Sequence, residues 1–106
     1  MNGNERFTMS EIAHYVSIKD VGRTILYRIL RILEIVDENN KPSQIYIKHG
    51  DLAVGLPRYT FNGRQIYVTL AIGLSGMNFI RKAVLAYLDD HQIPRIKRKP
   101  KVYNSI

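Results

Sequence analysis

The 106-residue chain contains no cysteine and no tryptophan. Without thiols it can form no disulfide and offers no thiolate to a metal, which fits a reducing compartment. Without tryptophan its core must rely on aliphatic residues, seven tyrosines and three phenylalanines. No apolar run approaches the ~20 residues of a membrane span. The opening MNGNERF lacks the basic-then-apolar order of a secretory signal. The expectation is a soluble cytoplasmic protein with no membrane partner.

Catalytic constellations are missing as well. His14, His49 and His91 fall in no metal-ligand spacing, and His49-Gly50-Asp51 is an isolated His-x-Asp of the kind that is more often structural or solvated. Gly73 and Gly76 lack the Lys-Ser/Thr of a phosphate loop. The acidic pair Asp89-Asp90 falls at an expected helix end, and no Ser-His-Asp logic is visible. The expectation is a protein that is not an enzyme and holds no metal or cofactor.

Acid is also absent from the last stretch. Residues 91–106 carry Arg95, Lys97, Arg98, Lys99 and Lys101 and no Asp or Glu. The chain's net charge is +7; without these five residues, 11 basic residues face 9 acidic ones, a net of +2. The body is therefore only mildly basic, and an acidic partner such as nucleic acid must be argued from where its arginines sit. Two prolines and dense charge mark the tail as flexible in isolation, either binding phosphates or simply solvated.

What is present is a hydrophobic fraction of 45%, ordinary for one globular domain. Residues 1–6 are polar and expected to be loose. Thr8 and Glu11 have capping-box spacing, with Phe7 and Ile12 at the staple positions, so a short helix is expected over residues 9–15. Residues 17–20 break it, and Asp20 is the expected N-cap of a second helix over residues 21–34. On a helical wheel, Val21, Ile25, Leu26, Ile29, Leu30, Ile32, Leu33 and Val36 fill one half; Arg23, Thr24, Tyr27, Arg28, Arg31 and Glu34 fill the other. Residues 37–41 form a polar turn. Pro42 and Gly50 suggest a short helix between them, although the alternation through Ile45 and Ile47 suits a strand too. Strands are expected over residues 52–56 and 58–61. An Asn62-Gly63 hairpin turn and a return strand over residues 64–70 follow. Helical period then resumes over residues 74–89, where Met77, Ile80, Val84, Tyr87 and Leu88 share a face that Leu74 and Leu85 widen. That face closes the core and leaves room for a homodimer contact.

This order, helix-turn-helix, short element, hairpin and closing helix, is an α+β winged helix-turn-helix layout over residues 7–90, followed by the basic tail at 91–106. In it the second helix is the recognition candidate. Arg23, Thr24, Tyr27, Arg28 and Arg31 suit phosphate oxygens and base edges of double-stranded DNA, and Arg58 and Arg64 bracket the wing tip. A solvated basic face with incidental arginines is the alternative, and basic charge by itself does not separate DNA from RNA.

FTMSEIA, LYRILRILEIVDENNKPSQIYIKHGDLAV and IYVTLAIGLSGMNFIRKAV together resemble the C-terminal domain of phage antirepressors, the KilA-C-like family. The likeness spans about residues 7–87 and rests on apolar patterns. It implies a DNA-binding transcriptional regulator of phage or mobile-element origin. The competing expectation is a protein-interaction module that binds a repressor protein without contacting DNA.

Overall fold

A computed structural model describes residues 5–94. The tail positions Arg95, Lys97, Arg98, Lys99 and Lys101 lie outside the described residues. The elements run β1 (Arg6–Phe7), α1 (Met9–Val16), α2 (Arg23–Ile32), α3 (Gln44–His49), β2 (Leu52–Val54), β3 (Arg58–Tyr59), β4 (Gln65–Ile66), β5 (Thr69–Ile72) and α4 (Gly73–Asp90). The architecture is α+β, with four helices and small antiparallel sheets among the described residues. Among them, no helix is long and apolar enough to cross a membrane.

The start of α1 is set locally, as expected. The Glu11 N–H donates to the Thr8 hydroxyl at 3.2 Å, and the Thr8 N–H donates to the Glu11 carboxylate at 2.8 Å. Met9, Ile12 and Val16 form its buried stripe. The helix ends at Ser17, which takes a left-handed conformation (φ 56°).

The second helix is shorter than its periodicity suggests. Its N-cap is Gly22 and not Asp20, which instead bends the preceding loop with a φ of 67°. At its other end the Glu34 N–H donates to the Arg31 carbonyl and the Ile35 N–H to the Leu30 carbonyl. With Glu34 left-handed (φ 61°), this is a Schellman closure. The chain turns there, so Ile32 and Leu33 are left exposed instead of joining the buried face, while Ile35 and Val36 fold back into the core. Glu34 escapes sequence detection because glycine or asparagine usually marks this position.

The segment between α2 and β2 is helical, as favoured, but Pro42 is not its first residue. Pro42 bridges Val36, Ser43 caps α3, and Gly50 ends it at φ 83°. Glu5 and Arg6, expected to be loose, are instead built in. β1 pairs with β5, and the Gly73 N–H donates to the Glu5 carbonyl at 2.6 Å.

The main sheet has the order β1-β5-β2, all antiparallel, and the hairpin β3-β4 extends beyond it. The expected continuous return strand is split at Tyr67, whose N–H leaves the ladder to donate to the Asn39 carbonyl at 2.9 Å. Past that break Thr69 and Ala71 are buried, while Leu70 stays half-buried. The residues at the centre of the core are Ile12, Leu26, Ile29, Leu30, Leu52, Ile80 and Val84. α4 closes it, and Ile93, past the expected domain end at residue 90, still packs against it.

α4 lies against the sheet at Gly76. A Cβ there would collide with the Asp51 carbonyl oxygen and press on the Ala71 backbone at 3.2 Å. Because backbone atoms on both sides block relaxation, Gly76→Ala should cost about 2 kcal/mol or more. Urea unfolding should show a lower midpoint at unchanged slope.

Candidate nucleic-acid interface

α2 and the hairpin face each other across a groove of about 490 Å³. Arg23, Thr24, Tyr27 and Arg31 line it from α2, and Arg58, Tyr59, Thr60, Ile66, Tyr67 and Val68 from the hairpin side. Thr8, Met9, Ser10 and Asn40 complete its wall. Five of the residues expected at the site therefore meet in one place: Arg23, Thr24, Tyr27, Arg31 and Arg58.

They do not play equal parts. Arg23 and Thr24 are exposed in the first turn of α2, where no acidic residue and no side-chain cap occupies the helix N-terminus. Tyr27 is not a surface residue. It is only 7% exposed, and its hydroxyl oxygen accepts the Thr69 N–H at 3.0 Å. It belongs to the core and joins α2 to the start of β5, so it lines the groove as a largely buried residue and not as the outward side chain that the wheel suggests. Arg28 is half-buried and outside the groove wall, and its Nε is buried without a hydrogen-bond partner among the described residues.

Arg31 sits half-buried, with Nη1 donating to the Asn40 Oδ1 at 2.6 Å. Its pKa is pushed below the ordinary arginine value, first by burial and then by the neighbouring Arg28 and Arg64 charges. A guanidinium remains protonated at neutral pH in such a site. Its observed side-chain partner is a neutral amide, so an incoming anion would offset the cost of burial and the repulsion from Arg28 and Arg64.

Arg64 is exposed, yet it is not free at the wing tip. Its Nε donates to the Asn39 Oδ1 at 2.8 Å and its Nη2 to the Glu38 carbonyl at 2.9 Å. It braces the hairpin against the turn after α2 and keeps further N–H donors for a ligand. No Asp or Glu occurs between Asp51 and Asp89, so nothing on the hairpin offsets Arg58 and Arg64.

The tip differs from the expected two-residue turn. The Thr60 N–H donates to the Arg64 carbonyl at 2.8 Å and the Gly63 N–H to the Thr60 carbonyl at 2.9 Å. Of the pair Asn62-Gly63, only Gly63 has positive φ, at 81°. This is a three-residue loop with its glycine in the left-handed position. It leaves Phe61 at the apex, fully in water, with Tyr59 70% exposed below it. The sequence reading passed over both aromatics. Their signal was the alternation Arg58, Tyr59, Thr60, Phe61 ahead of a turn glycine.

No family model matches the chain, and neither does any curated protein or solved structure. The functional reading therefore stands on the groove.

Removing the Tyr27 hydroxyl isolates what ties the groove together. Tyr27→Phe should cost about 1–3 kcal/mol by leaving the Thr69 N–H unpaired in the core. Hydrogen exchange at Thr69 should accelerate more than at residues of α4.

Proposed function

We propose that the chain binds double-stranded DNA as a winged helix-turn-helix regulator, with α2 as the recognition helix and the β3-β4 hairpin as the wing. The observation that carries this reading is the shared groove, where Arg23, Thr24 and Arg31 on α2 face Arg58 on the hairpin. α1 packs on α2 through the same core that buries Leu26, Ile29 and Leu30, and its first residues, Met9 and Ser10, reach the groove wall. A recognition helix contacts base edges mainly through its N-terminal residues, and Arg23 and Thr24 hold that place. Arg31 and Arg58, with the spare donors of Arg64, suit the phosphate backbone on either side. The tail adds Arg95, Lys97, Arg98, Lys99 and Lys101 as sequence-independent phosphate contacts. The resemblance to antirepressor C-terminal domains agrees with a phage or mobile-element role.

The competing reading, capture of a repressor protein, needs a continuous apolar face. Leu74 and Leu85 are exposed on α4 at 45% and 38%, but Asn78 and Arg81 stand between them on the same face. DNA is therefore preferred.

Electrophoretic shifts with mixed-sequence duplex at several salt concentrations test this. Arg23→Ala and Arg58→Ala, both at exposed positions, should each weaken binding about tenfold. Each lost phosphate contact should flatten the log–log salt slope by about 0.9. Unchanged affinity in the double variant, with its helical circular dichroism intact, would rule the groove out as the DNA site. A chain that shifts no duplex at low salt but is retained by a purified repressor would favour the competing reading.

A further inference from the structure

The wing tip carries a residue that phosphate binding does not use. Phe61 is 105% exposed at the apex of the hairpin loop, and Tyr59, two positions earlier, is 70% exposed. Single exposed apolar residues are common and need no explanation. Here, however, the backbone that carries the ring is hydrogen-bonded in place, and the charged residues of the hairpin, Arg58 and Arg64, are of one sign.

The holding is visible in the hydrogen bonds. Thr60 is tied three ways: its N–H to the Arg64 carbonyl, its carbonyl to the Gly63 N–H, and its hydroxyl to the Arg64 N–H at 3.0 Å. Arg64 is in turn anchored on Asn39 and Glu38. The loop backbone beneath Phe61 is therefore fixed, so only the side-chain torsions of Phe61 remain to be ordered on being buried. Arg58 and Arg64 flank it, and Asn62 stands beside it at the tip. A second copy of this chain would bring the same positive charge to that tip, whereas nucleic acid brings the opposite one.

Tyr59 lines the groove shared with α2, and Phe61 lies just beyond it. Two residues of extended chain place the Thr60 Cα up to about 7 Å past the Arg58–Ile66 pair, and the loop carries Phe61 at its apex. That reach is comparable to the depth of a B-form minor groove, about 7.5 Å.

We propose that Phe61 is a wedge: it enters the minor groove of the bound duplex, partly unstacks one base step and bends the DNA. Apolar side chains entering between base steps bend duplexes in this way, and flanking arginines favour a narrow minor groove. The proposal rests on the DNA-binding reading above. It adds a source of preference for easily unstacked steps that requires no hydrogen bond to a base.

The test compares the full chain with Phe61→Ala and Phe61→Trp on duplexes carrying 2-aminopurine within TA steps. Affinity, salt slope, probe fluorescence and bend angle are the readouts. The wild type should raise 2-aminopurine fluorescence and bend the duplex. Phe61→Ala should abolish both effects and bind about tenfold more weakly, while its salt slope stays unchanged because no charge is lost. Phe61→Trp should retain the bend.

Binding by Phe61→Ala with wild-type bend and fluorescence overturns the wedge and leaves the DNA-binding reading standing. A wild type that shifts no duplex at low salt overturns both. Altered sedimentation of free Phe61→Ala, with its DNA behaviour unchanged, would make Phe61 a self-association contact and also overturn the wedge.

Discussion

The basic side of the molecule depends on one turn, residues 37–41. The Asp37 carboxylate accepts the N–H groups of Asn39 and Lys41 at 2.8 and 3.0 Å, and Asn40 takes a left-handed φ of 65°. With its backbone fixed in this way, the turn offers acceptors in two directions. Asn39 receives the Arg64 guanidinium and the Tyr67 N–H. Asn40 receives Arg31 through its side chain and the Thr69 hydroxyl through its carbonyl. α2, the hairpin and β5 are thereby referenced to one short loop. The acceptors that meet the two guanidinium groups are amide or carbonyl oxygens, so they position the arginines without neutralising them. A carboxylate in either place would hold them as well and cancel the charge that an anionic partner would meet.

α2 serves the core and the groove at once, and its dimensions show the compromise. Leu26, Ile29 and Leu30 are fully buried behind it. Tyr27 is drawn inwards as well, which leaves the polar face narrower than a helical wheel implies. The Schellman closure at Glu34 then ends the helix just after Ile32 and Leu33, which stay exposed at its last turn. The effective outward surface is the first turn, with Arg31 one wall of a recess.

Features encoded within a few residues were readable from the chain. The Thr8–Glu11 box needs only its own four residues, and the apolar period of α4 needs only α4. The α+β class and the position of the hairpin followed from the same kind of local pattern. Partnerships across long stretches of sequence were not readable. Tyr27 looks like a surface residue until Thr69 is brought against it, and Arg64 looks free until Asn39 arrives. The turn type at residues 60–64 is hidden from local pattern for a related reason. Asn62-Gly63 suits a two-residue turn by composition, but the Thr60 hydroxyl and the break at Tyr67 favour the longer loop. Pattern thus located α2 and the hairpin, while tertiary hydrogen bonds decided which of their side chains remained available.

The pairing of β1 with β5 bears on the order in which the protein takes shape. Phe7 lies opposite Ala71, so the first strand finds its partner only after every element up to β5 has been synthesised. α1 can form early on its own cap, but α1, at eight residues, is marginal without packing. Closing so long a loop is an entropic cost met before the contacts that reward it, which slows folding. The strand beside the capped helix can therefore engage only once β5 is present. Until it engages, β5 keeps one edge open to other chains, and that interval is when the nascent protein is most exposed to mispairing.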